Sequence, residues 1–170
     1  MDIRKALEQT HSKTVTQKIV NYIDSDKTKF KHLIDIYLKG PYRITQRAAW
    51  PLSKCIEDHP ELIHPHLKKV LDFCQLPDVH DAVKRNTVRL LQFIDIPKKN
   101  QAQVINLCFQ FLEDKKEPVA VRVFAMSVLG NLALEHPELK NELTVLIEDQ
   151  LPVGSAGFVS RAKKVLRQIK

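Results

Sequence analysis

Residues 118–132 read PVAVRVFAMSVLGNL, and this stretch decides the fold. Val121, Ala125 and Leu129 are spaced by four residues, so they lie on one face of an α-helix. Pro118 stands at the start, where a missing backbone N–H costs nothing. A small residue such as Ala125 lets a second helix approach closely, and Leu129 fills the space that this approach leaves. The stretch therefore predicts a buried helix packed against a partner helix.

The same pattern recurs along the chain, in steps of 39, 38 and 37 residues. A second apolar register alternates with it, in steps of 37, 37 and 39 residues. Periods of this length are typical of stacked pairs of helices. The first register comprises Ile44/Ala48/Leu52, Val83/Thr87/Leu91, Val121/Ala125/Leu129 and Phe158/Ala162/Leu166, and the second comprises Phe30/Leu33/Ile34/Tyr37, Leu67/Val70/Leu71/Cys74, Val104/Leu107/Cys108/Phe111 and Leu143/Leu146/Ile147/Gln150.

These registers predict an all-α fold, a right-handed α-α superhelix of about four helix pairs after an N-terminal capping helix near residues 13–24. We expect a single domain over residues 1–170, and we expect Pro51 to kink its helix. The predicted pairs are 27–39 with 42–57, 60–75 with 79–95, 98–114 with 119–134, and 137–150 with 155–169, which give repeats at about 27–57, 60–95, 98–134 and 137–169.

The second helix of each pair resembles that of a HEAT repeat, whose pattern is Val-Arg-x-x-Ala-x-x-x-Leu. Pro118, Val121, Arg122, Ala125 and Leu129 follow the pattern, and Val83, Lys84, Thr87 and Leu91 form a second copy. Looser copies without the basic residue are Ile44/Thr45/Ala48/Leu52 and Phe158/Val159/Ala162/Leu166. The resemblance covers roughly residues 27–169, and it implies an armadillo-type solenoid that in most family members binds other proteins.

Composition limits the possible environments of the chain. There is no run of about 18 apolar residues, so we expect no membrane span. Residues 1–12 are polar and lack the apolar core of a signal peptide, which predicts a cytoplasmic protein. Cys55, Cys74 and Cys108 fall on apolar register positions without metal-ligand spacing, and we interpret them as buried reduced thiols.

The net charge of +7 is unevenly distributed. Residues 1–56 carry 11 basic and 5 acidic residues, residues 57–151 carry 11 basic and 15 acidic, and residues 152–170 carry 5 basic and no acidic residues. A basic chain with an acidic middle is a poor match for a continuous nucleic-acid surface.

One stripe of the second helices lies opposite the predicted core face. Solenoids usually bind partners along the concave second-helix surface, and this stripe carries five basic residues, three aromatic residues and no acid. Exposed aromatic and Arg side chains are typical interface anchors. An alternative is that the aromatic residues pack between repeats and the charges form a solvated face. The predicted binding residues are Arg47, Trp50, Lys54, Asn86, Arg89, Phe93, Phe124, Asn131, Arg161 and Lys164, and Ser127 and Gln168 complete the stripe.

Candidates for catalysis are few. No acid, His or Cys lies on the stripe, and the chain has no His-Glu-x-x-His motif, Cys-x-x-Cys pair or phosphate loop. His64 and His66 are two residues apart and point to different helix faces. His59 and His136 each precede a proline at equivalent positions, which predicts a turn or cap role. We therefore expect no enzyme activity, no cofactor and no metal.

The first hypothesis is a non-enzymatic HEAT-repeat scaffold that binds an acidic or aromatic-bearing segment of a protein partner. The alternative is nucleic-acid binding, with Arg47, Arg89, Arg161 and Lys164 on phosphates and Trp50 or Phe93 stacked on a base. Alkylpurine DNA glycosylases share such a basic-aromatic groove, but this stripe lacks their catalytic Asp, and Asp95 at a helix end is the nearest. We also expect Phe158, Val159 and Ile169 to leave an apolar edge, so that the C-terminal end either frays or self-associates.

Overall fold

The computed structural model describes all 170 residues of the chain, which form ten α-helices and no β-strand. The all-α helical-repeat fold is therefore confirmed. Backbone contacts divide the chain into two compact units, Met1–Asp95 and Ile96–Lys170. The single domain over residues 1–170 stays a prediction.

The first unit is built around α4, which packs against α3 and α6, while α1 and α2 also lie on it and α5 packs on α6. Helix α4 runs without interruption through the buried Pro51. The helices are α1 (Ile3–Gln9), α2 (Lys13–Ile23), α3 (Lys27–Lys39), α4 (Tyr42–Asp58), α5 (Leu67–Cys74) and α6 (Asp81–Leu90), with 3-10 turns at Pro60–Ile63 and Leu91–Phe93.

The second unit is built around α8, which packs against α7, α9 and α10. Gly130 of α8 allows α10 to come close, because a Cβ atom there would stand 2.9 Å from Cγ1 of Val165. The helices are α7 (Lys98–Glu113), α8 (Val119–Glu135), α9 (Leu139–Gln150) and α10 (Ala156–Ile169), with a 3-10 turn at Leu151–Val153.

The two predicted apolar registers form the core of the units. All of their members are buried except Leu146 and Leu166, which are half-buried. Leu166 lies beside Lys163, Arg167 and Lys170 on the outer side of α10. The three cysteines are buried and unbridged, as predicted.

The continuous helix predicted over residues 60–75 is wrong. Pro65 has no N–H to donate to the carbonyl of Glu61, four residues earlier. That carbonyl instead accepts a hydrogen bond from the N–H of His64, as in a 3-10 turn. The α-helix begins only at Leu67.

Helix α1 was not expected from the sequence. Asp2 caps its start by accepting a hydrogen bond from the N–H of Lys5 at 3.0 Å. Ile3 and Leu7, one turn apart, are both buried. A cap followed by only two large apolar residues is a weak signal, because a helix of seven residues depends on tertiary packing.

The apolar edge expected on the last helix is also wrong. Phe158 is fully buried and Ile169 is 4% exposed, while Val159 is half-buried. The guanidinium carbon of Arg122 lies 4.8 Å from the centre of the Phe158 ring and covers its face. The predicted self-association through this end therefore has no exposed apolar edge to support it.

The matched leucines of α8 test the register of the core. Leu129 is fully buried, whereas Leu134 on the same helix is 54% exposed. Leu129→Ala should reduce the free energy of unfolding by about 2–5 kcal/mol, because it removes buried methyl groups and leaves a cavity. Leu134→Ala should change it by less than about 0.5 kcal/mol. Urea unfolding measures both changes, and equal losses would show that the core face has been assigned wrongly.

Candidate functional site

The first unit carries six of the predicted binding residues, on α4, on α6 and on the turn that follows α6. The structure places them in different environments, because α1 and α2 pack on α4. Phe93 is exposed at 37%, Asn86 is buried, and the remaining four are half-buried. The six residues are Arg47, Trp50, Lys54, Asn86, Arg89 and Phe93.

Arg47 ties α1 to α4. Its Nη1 donates hydrogen bonds to the carbonyl oxygens of Leu7, at 2.7 Å, and Glu8, at 3.0 Å. These carbonyls lie in the last turn of α1, where backbone acceptors have no partner within the helix and a cation is favoured. Arg47 therefore has a structural partner that could not be predicted, because α1 itself was not expected from the sequence.

Trp50 forms one wall of a pocket of about 260 Å³, which we call the Trp50 pocket. The indole ring is half-buried, and its centre lies 5.5 Å from the centre of the His11 ring. The side chain is therefore neither a core residue nor a fully exposed one. The pocket is lined by Lys13, Thr16, Gln17, Trp50, Lys54 and Arg89.

Glu57 pairs with two cations of the Trp50 pocket. Its Oε2 accepts hydrogen bonds from Nζ of Lys54, at 2.5 Å, and from Nη2 of Arg89, at 2.8 Å. The Arg89 contact joins α6 to α4. Glu57 lies beyond the last stripe position of its helix and was therefore not among the predicted binding residues. Its position one turn after Lys54 was the available signal.

The exposed position expected for Asn86 is wrong. Its Oδ1 accepts a hydrogen bond from Oγ of Ser53 at 2.9 Å, and its Nδ2 donates to the carbonyl of Ala82 at 2.7 Å. Asn86 is buried because α6 packs directly on α4. The stripe was predicted from packing within each helix pair alone. Contact between neighbouring second helices, such as α4 and α6, was not taken into account.

The corresponding contact in the second unit, between α8 and α10, also engages residues of the predicted stripe. Nη1 of Arg161 donates to Oγ of Ser127 at 2.6 Å, and Nε2 of Gln168 donates to Oδ1 of Asn131 at 2.9 Å. Phe124 is half-buried, whereas Lys164 is exposed. Arg161 is thus partly occupied in joining α10 to α8, and Lys164 is the most accessible cation of the predicted set in this unit.

His11, in the connection between α1 and α2, contacts Trp50 but does not line the Trp50 pocket. Its pKa is lowered from the ordinary value of 6.5, first by burial and then by the charges of Arg47 and Arg85. The fold thus favours the neutral imidazole. The stability that this preference contributes is present above the ordinary pKa and is lost as the pH falls towards the lowered pKa.

His59 and His136 have structural roles, and Cys55 is buried. His59 and His136 end α4 and α8, and their Nε2 atoms pair with Oδ1 of Asp24 at 3.1 Å and Oε1 of Gln101 at 2.8 Å. This confirms the predicted turn or cap role.

Burial raises the pKa of the Cys55 thiol to about 12, which disfavours the nucleophilic thiolate. No group of three or more His, Cys, Asp or Glu residues is arranged to hold a metal ion.

Paired helices whose second members stack on one another define a helical-repeat protein. The chain matches the family described as the HEAT repeat domain over residues 3–169, and it belongs to that family. HEAT repeats in general mediate protein interactions. No curated protein matches the chain, and no solved structure does. None of its helices is long and apolar enough to cross a membrane.

The contact between α1 and α4 can be tested through His11. Arg47→Ala should raise the pKa of His11, because it removes a nearby cation and frees α1, which reduces the burial of the imidazole. Titration followed by the His11 Hε1 resonance measures the change. Arg43→Ala is the matched control, since Arg43 is an exposed arginine of the same helix. An unchanged His11 pKa in Arg47→Ala would contradict the assigned role of Arg47.

Proposed function

We propose that the chain is a non-enzymatic HEAT-repeat module that binds an acidic, aromatic-bearing segment of a partner protein at the Trp50 pocket. The observation that carries this proposal is the half-buried Trp50 beside three cationic side chains, Lys13, Lys54 and Arg89. A core residue would be fully buried, whereas an interface anchor keeps part of its ring available. Trp and Arg are the residues most enriched among such anchors.

The electrostatics of the pocket support an acidic ligand. Its lining contains no acid, and Glu57 is the carboxylate paired with two of its cations. The three cations therefore exceed the local negative charge. A complementary charge on the partner would speed encounter and fix orientation, and an apolar or aromatic side chain on the partner would cover the exposed part of Trp50.

A second surface in the other unit supports the same ligand charge. Helix α10 carries four basic residues and no acidic residue. Phe124 and Asn131 on α8 and Arg161 and Lys164 on α10 belong to this surface. We propose that this surface of the second unit also favours an acidic segment, but binds it more weakly, because Ser127 and Gln168 already engage Arg161 and Asn131.

The proposed absence of catalysis follows from the composition of the pocket. Its lining contains no carboxylate, His or Cys side chain to act as a general base or nucleophile. Glu57 is hydrogen-bonded to Lys54 and Arg89, and His11 contacts Trp50 without lining the pocket. The proposed location is the cytoplasm, because three unbridged cysteines suit a reducing compartment.

The test begins with selection of peptides from a random display library on the immobilised full chain. We expect enrichment of sequences that combine Asp or Glu with an aromatic residue. The affinity of a selected peptide is then measured by fluorescence anisotropy, together with a variant in which Lys replaces each acid and a single-stranded oligonucleotide. Enrichment of basic peptides, or tighter binding of the oligonucleotide than of the selected peptide, would contradict the proposal and favour nucleic-acid binding.

Trp50→Ala should weaken binding of the selected peptide by about 2 kcal/mol, or roughly 30-fold, as loss of an anchor does. Tyr42→Ala is the matched control, because Tyr42 is a 64% exposed aromatic residue on the same helix that does not line the pocket. Thermal unfolding of both variants separates binding from stability. A Trp50→Ala protein with reduced stability and undiminished affinity would show that Trp50 serves packing alone.

A further inference from the structure

The charges around the Trp50 pocket do not cancel. Lys13, Lys54 and Arg89 contribute three positive charges, and Glu57 contributes one negative charge. The cluster therefore keeps two positive charges when no ligand is bound. A single carboxylate from a partner would neutralise only one of them.

Glu57 already occupies the position that a simple carboxylate ligand would take. One of its oxygens accepts hydrogen bonds from both Lys54 and Arg89. An incoming anion must share these donors or displace Glu57 from them. A ligand with more charge and more acceptor atoms than a carboxylate has the advantage in that competition, because each added charge-assisted hydrogen bond strengthens the complex.

We propose that the Trp50 pocket binds a phosphate monoester carried on a side chain of the partner segment. Such a group bears about −1.5 to −2 charges near neutral pH and presents three strong acceptor oxygens. It therefore matches the two unneutralised positive charges. The inference rests on the proposed function, since it names the group within the acidic segment that the pocket recognises.

The remaining lining residues fit this ligand. Lys13 and Thr16 come from α2 and Lys54 from α4, so donors reach the pocket from two helices besides α6. The Thr16 hydroxyl is a further potential donor, and the indole of Trp50 offers an apolar wall to the carbon atoms of the phosphorylated side chain. Arg89 supplies the planar guanidinium that recognises phosphate oxygens in pairs.

The experiment compares three forms of one peptide, chosen from the acidic-aromatic sequences described above. A central residue is phosphoserine, glutamate or serine, and binding to the full chain is followed by the fluorescence of Trp50, the sole tryptophan. We expect the phosphoserine peptide to bind about tenfold more tightly than the glutamate peptide, because its additional charge and acceptors engage the positive charge that Glu57 leaves unneutralised. A phosphotyrosine form and free inorganic phosphate show whether the side chain contributes beyond the phosphate itself.

Two variants should shift the affinity for the phosphoserine peptide in opposite directions. Arg89→Gln should weaken it about tenfold, because one charge-assisted donor is lost. Glu57→Gln should strengthen it, because the competing carboxylate is removed while the cations remain. Lys68→Gln and Glu61→Gln are the matched controls, since both residues are exposed in the same unit and do not line the pocket. Circular dichroism checks that each variant is folded.

Equal affinities of the phosphoserine and glutamate peptides would overturn this inference, as would weaker phosphopeptide binding by Glu57→Gln. In either case, binding of the glutamate peptide that depends on Trp50 would leave the proposed function standing. Failure of all peptides to bind would overturn both. Competition by single-stranded DNA at equal phosphate concentration would assign the pocket to a nucleic-acid backbone and also overturn the inference.

Discussion

The contact between neighbouring second helices is the constraint on which the rest of this structure depends. Helix α4 packs on α6 in the first unit, and α8 packs on α10 in the second. Ser53 and Gly130 lie at equivalent positions of α4 and α8, and both are buried. Small side chains there let the next helix approach closely. This packing determines which polar side chains are buried between repeats and which remain free.

The apolar repeat was predictable because it follows from helical geometry alone. Residues four apart lie on one face, so Val121, Ala125 and Leu129 had to share the core if the stretch was helical. Repetition at a nearly constant step added the inference that successive helix pairs stack. No knowledge of distant contacts was needed, and the predicted core residues are accordingly buried with few exceptions.

The candidate site was only partly predictable, because long-range contacts define it. The register placed Trp50, Lys54 and Arg89 on one stripe of the second helices, and in the structure all three line the Trp50 pocket. It could not reveal that α1 and α2 would pack on α4. Lys13 and Thr16 were therefore not predicted to line the site. Arg47 was predicted to bind a partner, although it holds the end of α1. Asn86 was predicted to be accessible, although it is buried where α6 packs on α4 and accepts a hydrogen bond from Ser53.

The same arrangement would link the proposed ligand binding to the N-terminal helices. Trp50 contacts His11, which lies between α1 and α2, and Arg47 holds the end of α1 one turn away along α4. Lys13 reaches the pocket only while α2 stays in place. A ligand that uses Lys13 must therefore stabilise the packing of α2 on α4, by the linkage between binding and conformation. Glu57 has the opposite effect on affinity. It already accepts hydrogen bonds from Lys54 and Arg89, so a ligand would have to compete with it for these donors. The affinity of the proposed site would thus depend on two internal contacts, the packing of α2 on α4, which a ligand would reinforce, and the Glu57 hydrogen bonds, which it would have to replace.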